Sequence, residues 1–201
     1  MGVTMGTKNN VPHPVIIFVR GLPGSGKSYL TSQLQKAFVD EPIVLDPDAI
    51  DFTSSDYEQH VKKLTNEGVN PALFAYRFLR GQAYDGIADR RVIIWNQPFT
   101  NLEIFNKMIT NLRIQAEQHA VELPILVVEV EIDPKIAKER IESRKKAGGH
   151  GPSDSMFDKF TRDYSSFSNE GYRTIVVQGD DDVSDSVQKI YDELQIMEST
   201  A

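Results

Sequence analysis

Gly21-Leu22-Pro23-Gly24-Ser25-Gly26-Lys27-Ser28 fits the pattern G-x-x-x-x-G-K-[ST], and the segments on either side of it are of the right kind. The apolar run Val15-Ile16-Ile17-Phe18-Val19 leads in as a short buried strand, and Tyr29 to Phe38 leads out as a helix. Glycines let the backbone curl so that successive N–H groups face an anion, and the following helix adds its positive N-terminal end. In this pattern Lys27 reaches the β- and γ-phosphates and the Ser28 hydroxyl ligates Mg²⁺. The competing reading is a Gly-rich turn that binds nothing. Strand, loop and helix in sequence argue against it, so Gly21 to Ser28 with Tyr29 are the expected nucleotide-binding residues.

The rest of the chain is consistent with one α/β domain. It has 201 residues, which suits a single domain over 1–201, with 1–12 as a flexible polar N-terminus. There is no cysteine, as a reducing compartment allows, and no apolar stretch approaches the ~20 residues of a membrane span. The polar opening Met1 to Asn10 lacks the apolar core of a secretory signal, so a soluble, cytoplasmic protein is expected. Net charge is −7, which disfavours long nucleic acid as the main partner. Between Asp133 and Lys146, however, six Lys/Arg face three acids, a +3 segment on a body that is otherwise −10. Such a local positive site suits a small anion such as a nucleotide.

Strand and helix alternate along the whole chain. Strands are expected at Pro42–Leu45, Val92–Trp95, Ile125–Val130 and Thr174–Val177 in addition to the first. Ser55-Asp56-Tyr57-Glu58 reads as a capping box opening a helix toward Glu67, Pro71 opens a helix to about Asp89, and Thr100 with Glu103 forms a second capping box. Phe105, Met108, Ile109, Leu112 and Ala116 form a buried helical stripe, as do Val183, Val187, Ile190, Tyr191 and Leu194. Continuous apolar strands alternating with helices mean a parallel sheet covered on both faces.

A phosphate loop alone does not separate GTPases, large ATPases and kinases. No Asp-x-x-Gly occurs, Asn106-Lys107-Met108-Ile109 lacks the Asp of a guanine motif, and the third strand ends Trp95-Asn96-Gln97 without an acid. Leu45-Asp46-Pro47-Asp48 closes the second strand, and ligands in parallel sheets bind at the carboxyl ends of the strands. Two carboxylates there can serve a metal and an attacking hydroxyl; alternatively they cap the next segment. Arg140 and Arg144 lie four apart on one helix face, where guanidinium groups can stabilise a transferring phosphoryl group. Gly148-Gly149-His150-Gly151 then reads as a mobile flap, giving a lid over about 135–165. His60 and His119 read as surface or packing residues, and Trp95 as core.

With these pieces the chain resembles the small P-loop kinases, in the branch of zeta-toxin-like, polynucleotide-kinase-like and gluconate- or shikimate-kinase-like proteins. The matching residues are Gly21–Ser28, Asp46-x-Asp48, and Arg140, Arg144 and Gly148-Gly149-His150. The resemblance implies a three-layer P-loop NTPase fold, a five-stranded parallel sheet in the order 2-3-1-4-5, and a small helical lid. It implies ATP and Mg²⁺ and transfer of the γ-phosphoryl group to a hydroxyl. Lys27, Asp48, Arg140 and Arg144 would be catalytic, with Ser28 and Asp46 at the metal. Two positions depart from the branch: Asp51 stands where an Arg commonly follows the base, and Asn96 where strand three often ends in Asp. Asp51 argues against a phosphate-bearing acceptor; Asn96, Gln97 and Thr100 are candidate acceptor contacts. The reading is an ATP-dependent kinase of a small metabolite (sugar, nucleotide-sugar or nucleoside-like). The alternatives are a nucleic-acid 5′-end kinase and a nucleotide-binding regulatory protein without turnover.

Overall fold

A computed structural model describes residues 13–200, so the expectation for residues 1–12 lies outside the described residues. Five parallel strands form one sheet in the order β2-β3-β1-β4-β5: β1 Val15–Gly21, β2 Ile43–Leu45, β3 Val92–Asn96, β4 Ile125–Glu131 and β5 Arg173–Gln178. This is the predicted order. Every residue of β1 is buried, as the central strand of a sheet covered on both faces requires. Its neighbours β3 and β4 run on from opposite sides, so the sheet reverses its winding at β1 and a cleft opens at its carboxyl end.

Alternate residues of the strands feed two separate cores. Val15, Ile17 and Val19 pack with Leu30 and Leu34 of α1 (Lys27–Ala37) and with Val187, Ile190 and Leu194 of α7 (Val183–Ser199). On the other face, Ile16, Phe18, Ile93 and Trp95 pack with Leu79 and Ala83 of α3 (Phe74–Ala88) and with Phe105, Met108 and Leu112 of α4 (Leu102–Gln118). The predicted α4 stripe is buried in this core and the α7 stripe in the first, where Val183 is only partly covered; Trp95 is fully enclosed. A third small cluster, Ala137, Ile141 and Phe157, joins α5 (Pro134–Lys146) to α6 (Asp154–Asp163) and gives this helical pair a core of its own.

Helix starts differ from the sequence reading by a residue or a turn. α2 (Ser55–Asn66) is capped by Ser54, whose hydroxyl accepts from the Tyr57 amide. Asn101, not Thr100, caps α4 through the Ile104 amide. Pro71 opens a 3₁₀ turn, Pro71–Leu73, before α3 begins. At both misplaced caps a second capping residue stands beside the predicted one, and only the backbone decides between them.

Candidate active site

The phosphate loop runs from the end of β1 into α1. Gly24 sits at φ +85, and a Cβ there would lie 2.4 Å from the Ala137 carbonyl oxygen of α5, so the loop and α5 are in backbone contact. Gly26, at φ +100, is the N-cap of α1 and offers no side-chain acceptor to the first amides of the helix. Those amides, with the helix dipole behind them, can hold an anion. Lys27 is buried and donates from Nζ to the Leu22 carbonyl at 2.8 Å. Burial pushes its pKa down to about 8, against the pull of Asp46 and Asp48; Arg144 lowers it further. One ammonium thus feels the end of β2 and the lid together.

Asp46 and Asp48 follow β2 on a 3₁₀ turn, Pro47–Ala49. Asp46 both caps and faces the loop. Its Oδ1 accepts from the Asp48 amide at 2.9 Å, and its Oδ2 accepts from Asn96 Nδ2 at 2.6 Å. Asn96 Nδ2 also donates to the Ser28 hydroxyl at 3.1 Å, while its own Oδ1 is buried without a partner. The amide therefore bridges the two residues expected at a metal. Asp48 is exposed, and its carboxylate makes no hydrogen bond among the described residues. Asp51 turns back on its own chain, accepting from the Thr53 amide at 2.9 Å and the Thr53 hydroxyl at 2.6 Å. These bonds hold its pKa below the usual carboxylate range. The hydrogen bonds favour the ionised carboxylate, so Asp51 keeps its negative charge at this edge of the site.

The two lid arginines are divided between two places. Arg140 donates to the Gly179 carbonyl at 3.0 Å. It borders a cavity of about 300 Å³ with Gly26, Tyr29, Leu30, Gly179 and Asp180, beside the loop between β5 and α7. Arg144, one turn on, is exposed and acts on Lys27 through space. The Gly148–Gly151 stretch begins as a helix terminus. Gly148, at φ +83, ends α5, and the Gly149 amide bonds back to the Arg144 carbonyl at 2.9 Å, a helix C-cap. Lys145 ties the same stretch through the Pro152 carbonyl at 2.6 Å.

On the far wall, Tyr76 lies 6.4 Å from Trp95, and the Arg80 guanidinium lies over the Tyr76 and Tyr84 rings at 5.6 and 5.7 Å. His60 packs edge-on to Phe78, and burial leads the causes that lower its pKa. His119 closes α4 and pairs with Gln115. Among the described residues, no three His, Cys, Asp or Glu side chains gather as a metal cluster. No described helix is long and apolar enough to cross a membrane.

One buried group escapes the sequence reading. Arg20, immediately before the octet, is fully buried and ion-pairs with fully buried Glu129 on the neighbouring strand. A signal for it exists in the chain: each is the one charge inside an otherwise apolar strand core, and such charges are rarely buried unless paired.

A family model described as an AAA domain, AAA_33, matches residues 16–166. The chain belongs to this AAA domain family. The solved structures similar to this family member include kinases. A sugar kinase from Janibacter sp. HTCC2649 is 16% identical over 94% of this chain and 99% of its own, with a TM-score of 0.59. A gluconokinase from Sinorhizobium meliloti 1021 is 17% identical over 92% and 94%, at 0.56. Chaetomium thermophilum Kti12, solved with ADP-AlF3, is 17% identical over 89% and 98%, at 0.55. No curated protein matches the sequence. At these identities the likeness establishes the fold, that of the small P-loop kinases.

Proposed function

We propose that this AAA domain family member transfers the γ-phosphoryl group of ATP to a hydroxyl of a small metabolite. The observation that carries the reading is the geometry around the phosphate loop: buried Lys27 held on the Leu22 carbonyl, with Ser28 and Asp46 drawn together beside it through Asn96. A cradle for phosphate, two carboxylates and a lid cation are the parts phosphoryl transfer requires, since positioning and charge stabilisation supply most of the rate. In this reading the α1 amides and Lys27 hold the phosphates, and the cavity beside Arg140 takes the rest of the nucleotide. Asp48 accepts the proton of the acceptor hydroxyl as its oxygen bonds to the γ-phosphorus. The bond to the β–γ bridging oxygen breaks, and ADP leaves with that electron pair. Arg144 stabilises charge on the transferring group.

The Ser28 hydroxyl and the Asp46 carboxylate, held together by Asn96, are the hard oxygen donors that Mg²⁺ accepts. Bound there, the ion would neutralise charge on the β- and γ-phosphates. Asn96 also supports a second reading, a nucleotide-binding protein without turnover, because a neutral amide stands where an acid would help hold the metal. ATP consumption with a panel of sugars, sugar acids and nucleosides separates the two. The kinase reading expects acceptor-dependent ADP formation that Lys27→Ala abolishes. Nucleotide binding with no consumption on any acceptor supports the second reading, and activity surviving Lys27→Ala removes the octet from the mechanism.

A further inference from the structure

The Arg20–Glu129 pair makes more contacts than charge neutralisation needs. Arg20 Nη1 donates to the Ser165 carbonyl at 2.8 Å as well as to Glu129, and Nη2 donates to the Phe99 carbonyl at 3.1 Å. Its guanidinium lies over the Tyr164 and Phe167 rings, 4.3 and 3.6 Å from their centroids. Glu129 accepts from the Phe167 amide at 2.6 Å and from the Ser166 hydroxyl at 2.7 Å. Two strands and two loops therefore meet at one ion pair. One loop joins β3 to α4 and carries Gln97 and Thr100; the other carries the chain out of the lid helix α6 toward β5. Phe99 is held at φ +47, a left-handed conformation unusual for a non-glycine residue, which surroundings must enforce. Its ring meets Phe18, Phe105 and Trp95 at 5.3, 5.3 and 6.2 Å.

A buried ion pair is poor evidence for stability, because apolar residues of similar volume commonly serve as well or better. The contacts identify a different role. We propose that Arg20 is a positioning residue. With Glu129 it forms a buried clasp that fixes the β3–α4 loop and the exit of the lid at set places relative to the phosphate loop, which begins at the next residue. The role of the β3–α4 loop as an acceptor wall rests on the phosphotransferase reading; its being held by the clasp does not.

Trp95 is the sole tryptophan, fully buried and in contact with Phe99, so its emission reports on that loop. The test compares the full chain with Arg20→Lys, Arg20→Met, Glu129→Gln and the double variant Arg20→Met/Glu129→Leu. It measures Tm, Trp95 emission, and amide exchange over Phe99–Asn101 and Ser165–Phe167, with α7 as the internal control. Each single neutralisation lowers Tm, and the double variant regains it. The clasp predicts that the double variant still shows red-shifted Trp95 emission and exchange about tenfold faster in both loops, with α7 unchanged. Wild-type emission and loop exchange in a stable double variant would overturn it. Should the double variant not fold, Arg20→Lys decides: it keeps the charge but loses the two-sided fork, so loosened loops support the clasp and unchanged loops refute it. None of these readouts needs an acceptor, so loosened loops in a protein that phosphorylates nothing would refute only the kinase reading.

Discussion

Burial in its loop pushes the Lys27 pKa down toward working pH, and that would make the proposed nucleotide binding a proton-linked event. The free protein holds it at about pKa 8, with desolvation the main cause. Phosphate oxygens beside it favour the charged form, so binding raises the pKa and takes up a proton wherever the free lysine is neutral. Affinity for MgADP should therefore be flat below about pH 7.5. Above about pH 8 it should fall, approaching tenfold per unit, as expected for one proton taken up. Titration calorimetry in buffers of different ionisation enthalpy reads the proton directly. A lysine already charged would show no uptake at about pH 9. Asn96 governs the other side of the loop. Its amide nitrogen joins Asp46 to Ser28, and a carboxylate in its place would face Asp46 without a proton between them. Asn96→Asp should lower Tm in chelator, by several degrees for a like-charge penalty of about 1–2 kcal/mol. Magnesium should restore it, and the Mg²⁺ concentration giving half the stabilisation should be about tenfold lower than in the wild type. A variant indifferent to Mg²⁺ would remove Ser28, Asp46 and position 96 from any metal site.

Gly24 in the phosphate loop and Gly148 at the end of α5 make opposite predictions about how elements depend on each other. Gly148 ends α5 at φ +83, and a Cβ there would meet nothing within 4 Å, so Gly148→Ala faces only the backbone preference. It should cost about 1 kcal/mol and stay local. Gly24→Ala meets the same preference and also places its Cβ 2.4 Å from a carbonyl of α5. That carbonyl belongs to helix backbone and cannot rotate away, so α5 must shift. Amide exchange in α5 should rise for Gly24→Ala and not for Gly148→Ala; equal effects would mean the phosphate loop and α5 are not coupled. This coupling also marks where the sequence is legible. The octet, the five strands and the two apolar stripes are local patterns of spacing, so they can be read directly; the sheet order comes only with the resemblance to the small P-loop kinases. Asp48, Arg140 and Arg144 can be nominated by type, yet the division of the two arginines between cavity and solvent depends on where α5 crosses the sheet edge, and the place of Asp48 on the turn after β2. The cap of α4 is misplaced by one residue because Thr100 and Asn101 are both good capping residues. Arg20 and Glu129 lie 109 positions apart, and strand register, which no local pattern encodes, brings them together.

Across the whole molecule the sheet divides the interior into two cores, one under α1 and α7 and one under α3 and α4. The first supports the helix that carries Lys27, and the second supports the strand end and loop on the proposed acceptor side. Ile190 and Ile109, both essentially buried, sit in different cores with a layer of backbone between them. Removing one methyl from each, as Ile190→Val and Ile109→Val, should cost about 0.5–1.5 kcal/mol apiece. Ile190 and Ile109 belong to different clusters, and residues without shared partners lose stability additively. The double variant should therefore show the sum within about 0.5 kcal/mol in denaturant melts with unchanged m-value. Nucleotide adds stability through its own affinity alone, so the increment from saturating MgADP should be the same in both single variants and in the wild type. A coupling energy beyond about 1 kcal/mol would show strain crossing the sheet. An increment lost in Ile190→Val but kept in Ile109→Val would show instead that the α1–α7 core sets the shape of the nucleotide cavity as well as holding the helix.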